Sequence, residues 1–204
     1  MIERITFAGF GGQGVLLMGY VLSYGAMNKG LNVAYLPAYG AEMRGGTANC
    51  TVTVSDEEIA SPVASESDVL VAMNAPSLDR FEASVRSGGI ILINASLIDR
   101  SPKRPDVIEV RVDTAALARQ VGSDRAANMV MVGALVERTG TLSVDEAVQG
   151  MAAATKGKEK LFALNKTAIE RGAAFIRDGR GVTAQLSPGC PAIGKGAAFI
   201  QKGK

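Results

Sequence analysis

Two stretches of this 204-residue sequence hold residue types at spacings that could do chemistry. The first is Gly9-Phe10-Gly11-Gly12-Gln13-Gly14. Gly9, Gly11 and Gly14 fit the G-x-G-x-x-G spacing, in which a strand turns tightly into a helix. That turn lets a phosphate approach backbone N–H groups with no Cβ in the way. The same pattern also fits a glycine turn that only packs a helix against a strand. The second stretch, Pro37 to Cys50, gathers Tyr39, Gly40, Glu42, Arg44, Gly45 and Gly46. Arg44 beside Gly45-Gly46 could grip an anion with its guanidinium fork and nearby N–H groups. Equally, Glu42 and Arg44 could pair on a solvated turn. Two asparagines join the candidates. Asn74 closes an apolar strand just before Pro76, and Asn128 is a polar residue entering an apolar helix. Asn128 reads either as a helix-start hydrogen bond or as a contact to a ligand or partner.

What the sequence lacks is equally informative. There is no histidine, which removes the commonest general base and metal ligand. Two cysteines, Cys50 and Cys190, cannot supply the four thiolates of an ordinary iron–sulfur cluster or a Cys₄ zinc site. Cys50 lies in an apolar strand, where a free thiol is ordinarily buried. A nicotinamide dinucleotide site wants an acid near the end of the second strand. Here that strand ends at Leu36-Pro37 and the next acid is Glu42, so NAD is disfavoured. With 22 basic and 20 acidic residues the net charge is +2, no footprint for nucleic acid or an anionic membrane. No apolar run is long enough to span a bilayer. The N-terminus leads straight into a strand with no signal-peptide pattern, which points to the cytoplasm. A chain so short of catalytic groups reads as a binding subunit rather than a complete enzyme.

The elements that must position these residues follow from the apolar pattern. Ile2 to Ala8 reads as a buried strand, Gln13 to Lys29 as a helix capped by Gly30, and Leu31 to Leu36 as a second strand, together a βαβ unit. Interior Gly19 and Gly25 call for close packing or close ligand approach. Thr47 to Ser55 reads as a strand of an edge hairpin. Further strands are expected at Val69 to Met73, Ile90 to Ile93 and Val107 to Val112. Helices are expected from Leu78 to Val85, from Asp113-Thr114 onward, over Asp124 to Arg138, over Ser143 to Ala153 behind a Ser143/Glu146 capping box, and over Lys158 to Ile176. The fold class is α/β: a Rossmann-like, mostly parallel sheet flanked by helices, with an edge hairpin. One domain is expected over residues 1–180, followed by a basic C-terminal tail over 181–204.

The two glycine stretches together, Gly9 to Val15 and Tyr39 to Cys50, resemble the gamma subunit of 2-oxoacid:ferredoxin oxidoreductases, in the pyruvate/ketoisovalerate oxidoreductase catalytic-domain family. Asp68 to Pro76 and Asn128 to Leu135 resemble later blocks of that family. The likeness extends over residues 2–178. The resemblance implies a Rossmann-like domain in a complex that oxidatively decarboxylates a 2-oxoacid to an acyl-CoA and reduces ferredoxin. It implies a shared coenzyme A site, with thiamine diphosphate and iron–sulfur clusters carried by alpha, beta and, where present, delta partners. It implies Gly9, Gly11, Gly12, Gln13, Gly14, Tyr39, Gly40, Glu42, Arg44, Gly45, Gly46, Asn74 and Asn128 as the residues facing that site. The motif version is more similar to the 2-oxoglutarate and 2-oxoisovalerate members than to the pyruvate members. A stand-alone nucleotide-binding oxidoreductase, or a scaffold with no ligand of its own, is the alternative. An isolated chain would expose its partner-facing apolar surface and could form a homodimer.

Overall fold

The computed structural model describes residues 1–39, 47–63, 65–155 and 161–182. Strand β1, Ile2–Phe10, leads through the glycine turn into helix α1, Val15–Asn28. Strands β2, Asn32–Tyr39, and β3, Thr47–Ser55, form an antiparallel hairpin. Strand β4, Ser67–Ala72, helix α2, Ala75–Phe81, and strand β5, Val85–Asn94, follow. Strand β6, Ile108–Val112, is succeeded by helices α3, Thr114–Gln120, α4, Ala127–Thr139, α5, Val144–Ala154, and α6, Phe162–Arg177. Among the described residues, no helix is long and apolar enough to cross a membrane.

Local chemistry explains where the helices begin and end. Asn74 accepts a hydrogen bond from Ser77 N at 2.9 Å and Pro76 occupies the first turn of α2, where its missing N–H costs nothing. Ser143 and Glu146 complete the expected capping box of α5. Helix α1 ends at Lys29-Gly30, with Gly30 left-handed (φ 81°) and Leu31 N bonded back to Ala26 O at 3.0 Å. Lys29 then reaches α5, donating to Glu146 Oε2 at 3.2 Å. The interior glycines of α1 are there for packing. A Cβ on Gly19 would stand 2.6 Å from Cys50 Sγ, and one on Gly25 would stand 2.6 Å from Leu142.

The sheet order is β2-β3-β1-β4-β5-β6. β1, β4, β5 and β6 are mutually parallel, while β3 runs antiparallel to both neighbours. Alternate side chains sort to opposite faces. Ile5, Phe7, Val69 and Val71 face a core built with α1, α3, α4, α5 and α6, whereas Ala8, Leu70 and Ala72 face a smaller core with Leu78 of α2, Ile98 and Val107. Phe7, with no exposed surface, is worth about 1.5–3 kcal/mol of burial. The chain therefore leaves β1 over one face and leaves β4, its parallel neighbour, over the other. The switch point between their carboxyl ends is the crevice position at which open α/β sheets bind ligands.

Two expectations change, and one contact beyond α6 adds to the fold. β2 does not pair with β1, because β3 inserts between them over nine matched positions, Ile2↔Ser55 to Phe10↔Thr47. The βαβ unit is thus split, while the expected edge hairpin is present as β2–β3, with β2 outermost. The helix expected to reach Val85 stops at Phe81 in a 3₁₀ turn over Glu82–Ser84, and Val85 to Gly89 belong to β5. Gly88 N donates to Asp106 O at 2.7 Å, so the apparent glycine stop is a strand end tied to the connector before β6. Finally, Gly181 O accepts from Arg111 N at 2.7 Å and Val182 bridges Val110, so the chain after α6 returns to β6. Residues 183–204, Cys190 among them, lie outside the described residues.

Candidate functional site

The glycine turn sits at the carboxyl end of β1, over the crevice, and is tied down by Gln13. Gln13 N donates to Phe10 O at 3.1 Å, closing the turn. The side chain folds back over it. Gln13 Oε1 accepts from Phe10 N at 2.7 Å and from Asn74 Nδ2 at 2.9 Å, while Nε2 donates to Met73 O at 3.2 Å. Gln13 thus bridges β1 to the end of β4. Gly9 has to be glycine because a Cβ there would stand 2.7 Å from Gln13 Oε1 and from Val15.

Met73 O is a junction. Besides Gln13 it accepts from Asn94 Nδ2, the last residue of β5, at 3.3 Å. Asn94 Oδ1 accepts in turn from Thr114 Oγ1 at 2.7 Å and Ser96 N at 3.2 Å. Ser96 Oγ donates to Asp113 Oδ1 at 2.7 Å. That bond and the one from Ala116 N hold the Asp113 carboxyl below the ordinary aspartate value. The carboxyl ends of β1, β4 and β5 are stitched together by side-chain amides, each bond worth about 0.5–1.5 kcal/mol.

Asn128 closes the other side of the turn. It lies in the first turn of α4, is 8% exposed, and its Oδ1 accepts from Met129 N at 3.0 Å. Its Nδ2 lies against Gly14, the N-cap of α1, whose φ is 72°. A Cβ on Gly14 would be 2.2 Å from that nitrogen. Both the left-handed backbone and the packing demand glycine. Both readings of Asn128 keep a place: its oxygen makes the helix-start bond and its amide nitrogen faces the glycine turn.

Of the predicted site residues, Gly9, Gly11, Gly12, Gln13, Gly14, Asn74 and Asn128 therefore come together. Gly12, at φ 98° with open space around it, forms the exposed rim. Tyr39 ends β2, pairing with Ala48, and Thr47 pairs with Phe10, so the second stretch leaves and re-enters the sheet beside the glycine turn. Gly40, Glu42, Arg44, Gly45 and Gly46 lie outside the described residues. Sequence reasoning passed over Met73 and Asn94 as site elements. A signal for Asn94 was present: an asparagine follows each of two buried runs, Ala72-Met73-Asn74 and Leu92-Ile93-Asn94. Cys50 is fully buried beneath α1, where burial pushes its thiol up to about 12.

Residues 4–175 match the pyruvate ferredoxin/flavodoxin oxidoreductase family. The ketoisovalerate oxidoreductase subunit VorA of Methanothermobacter marburgensis is 40% identical over 85% of this chain. That alignment takes up 36% of VorA, so the chain spans about a third of the length of this relative. The 2-oxoglutarate synthase subunit KorC of the same organism is 36% identical over 74% of this chain and 85% of its own length. Among solved structures, the gamma subunit of keto/oxoacid ferredoxin oxidoreductase from Geobacter sulfurreducens superposes with a TM-score of 0.73 and 28% identity, covering 84% of this chain and 96% of that one.

Proposed function

The chain belongs to the pyruvate ferredoxin/flavodoxin oxidoreductase family, and from that premise we propose that it is the gamma subunit of a 2-oxoacid:ferredoxin oxidoreductase. In that enzyme a 2-oxoacid and coenzyme A give an acyl-CoA and carbon dioxide, and ferredoxin takes the electrons. The substrate class is 2-oxoisovalerate or 2-oxoglutarate, a reading supported by the likeness to VorA and KorC. Alpha and beta partners, with or without a delta chain, carry thiamine diphosphate and the iron–sulfur clusters. The location is the cytoplasm.

Coenzyme A supplies the thiol that takes the acyl group. The residues present suit an anionic part of such a molecule. The glycine turn brings backbone within reach, α1 begins there with no acidic residue in its first turn, and Asn128 presents an amide donor. The observation that carries the reading is this donor-lined turn over the switch-point crevice, in a chain with no histidine. Gln13 orients the turn, and Gly12 leaves its rim open to a partner chain. Arg44, oriented by Glu42, would contact an anionic group of the ligand or a partner carboxylate; that role rests on the sequence. A scaffold reading has one observation in its favour, since Gln13 already satisfies Phe10 N without a ligand.

The test is reconstitution. Complexes of the partner chains with and without this chain are assayed for acyl-CoA formation and viologen reduction from both 2-oxoacids. Omitting this chain is expected to abolish acyl-CoA formation. An Arg44→Ala complex is expected to show a KM for coenzyme A about tenfold higher, with the 2-oxoacid KM unchanged. Undiminished acyl-CoA formation without the chain would refute the subunit role. Reduction of NAD by the purified chain alone would establish the stand-alone enzyme instead.

A further inference from the structure

Helix α1 contains no charged residue, and its outer face is uncovered among the described residues. From Ile5 to Ala41 the sequence carries a single charge, Lys29, although the whole chain has 22 basic and 20 acidic residues. Lys29 itself is engaged elsewhere, donating to Glu146 Oε2 at 3.2 Å and to Thr141 O at 3.3 Å. A helix that is apolar all round belongs in a core, whereas one that meets water carries charged residues on its outer face. Helix α1 does neither. Its inner face packs against α5 and β3. Tyr20, Tyr24 and Met27 stay 44%, 40% and 57% exposed, with Leu17 half-buried at the head of the same stripe.

The stripe reads the same in both directions. Leu17, Tyr20, Tyr24 and Met27 follow one another at the alternating three- and four-residue steps of a helix seam, with the tyrosines in the middle and an aliphatic side chain at each end. A two-fold contact needs a patch that is complementary to itself. An antiparallel copy of α1, centred at the level of Leu22, sets Tyr20 opposite Tyr24 and Leu17 opposite Met27 on both sides of the axis, and no charge meets another. Tyr20 is already held for such a contact, its ring stacked on Tyr35 of β2 with 4.6 Å between centroids. Tyrosine and methionine are enriched in interfaces. The neighbouring edge of β2 is poorly suited to sheet extension, because Pro37 interrupts its row of donors, so the contact is helix to helix. The four side chains offer roughly 350 Å² per copy, under half of the about 800 Å² that each partner gives to a standard interface. The contact is therefore reversible, with a Kd in the micromolar range.

We propose that the uncharged outer face of α1 packs against the same face of a second copy of this chain, antiparallel about a two-fold axis, with two Tyr20–Tyr24 contacts at its centre. The inference goes beyond the coenzyme A reading and does not depend on it. In an assembled oxidoreductase the contact ties two complexes together through this chain.

The experiment follows the full chain by sedimentation velocity from about 1 μM to about 500 μM, a span that brackets a micromolar Kd. The mass is expected to rise from monomer to dimer. Tyr20→Glu alone and Tyr24→Lys alone each bring two like charges to the two-fold axis. Each is expected to weaken the dimer at least about tenfold, with the fold intact by circular dichroism. An equimolar mixture of the two variants sets opposite charges across the seam on one side and restores the tyrosine contact on the other. It is expected to recover the dimer to within about threefold of the parent. Met27→Lys, at the most exposed position of the stripe, keeps the test decisive where a tyrosine variant does not fold, and is expected to weaken the dimer about threefold. A parent chain that stays monomeric throughout overturns the proposal, and so does a parent-like dimer in a folded stripe variant, which puts the contact elsewhere. A mixture that stays monomeric overturns the antiparallel register. A monomeric parent whose stripe variants no longer assemble with the alpha and beta chains overturns the second copy and assigns the face to a partner helix.

Discussion

The two ends of the parallel strands are built from different chemistry. At the amino ends of β1, β4 and β5 the polar groups are mostly charged side chains, of which Asp68 and Arg86 pair with one another. Asp68 accepts from Arg4 N at 2.8 Å and from Arg86 Nε at 2.5 Å, and the buried Glu3 carboxylate accepts from Thr141 Oγ1. At the carboxyl ends the groups around the glycine turn are neutral amides, Gln13, Asn74, Asn94 and Asn128, joined through Met73 O. Asp113, the carboxylate on the margin of that network, is engaged in capping α3. Matched ions leave little net field, whereas backbone donors and helix amino ends without countercharge leave a positive one. One end therefore holds the sheet together, and the other carries the donors on which the proposed anion site rests.

The largest effect expected from breaking this contrast is structural and falls at the ionic end. Asp68→Ala leaves Arg4 N without its acceptor and Arg86 without its partner. It should cost about 3 kcal/mol, because one replacement strands both a part-buried backbone N–H and a part-buried guanidinium. Urea unfolding measures this, and the KM for coenzyme A of any complex that still assembles should stay within about twofold of the parent. A loss of coenzyme A affinity at constant fold would show that the two ends are not separable. Gly14→Ala is the converse at the amide end. The added Cβ meets Asn128 in a left-handed backbone, for about 2 kcal/mol of destabilisation. Unlike Asp68→Ala, it should also weaken coenzyme A binding by the assembled complex.

The division between the ends was partly legible beforehand. The glycine spacing, the Ser143/Glu146 box and the full extent of β3 are local signals, and local signals survive in a sequence. The insertion of β3 between β1 and β2 is not local. It depends on Cys50, Val52 and Val54 facing the same core as Ile5 and Phe7, a non-local pairing that no window reports. The crevice is hidden for the same reason, since it exists only because α1 and α2 pack on opposite faces. Gln13 occupies a free position of the motif, and its importance lies in three bonds, one of them to a residue 60 positions away. Val85 to Gly89 read as a helix end because Ser87, Gly88 and Gly89 resemble a stop, yet pairing with β4 recruits the segment into β5.

Gln13→Ala sharpens the contrast with a smaller effect. It removes the bonds to Phe10 N, Asn74 Nδ2 and Met73 O, but water can enter the crevice and replace part of them, so about 1 kcal/mol is expected by denaturant unfolding. Freeing Phe10 N should also strengthen coenzyme A binding by the assembled complex, as measured by calorimetry. Unchanged affinity would mean that Gln13 only braces the turn.

The smallest effect tests whether the ionic end is as well matched as it looks, and it depends on pH. Burial raises the Glu3 carboxyl above its ordinary value of 4.5; the Thr141 hydrogen bond opposes this, Asp68 adds to it and Arg86 opposes it. A carboxyl whose folded value exceeds its unfolded one keeps its proton longer in the native state. The stability it contributes is present in full below the unfolded value and is lost as pH rises through the folded value. Glu3→Gln keeps a carbonyl oxygen for Thr141 but never ionises. The variant should therefore match the parent in Tm below about pH 4 and exceed it by about pH 8, the gap opening as the parent carboxyl ionises. A gap of constant size across that range would place the cause in packing. A gap that closes when Asp68 is also replaced by Asn would show that Asp68, not burial, keeps the carboxyl protonated.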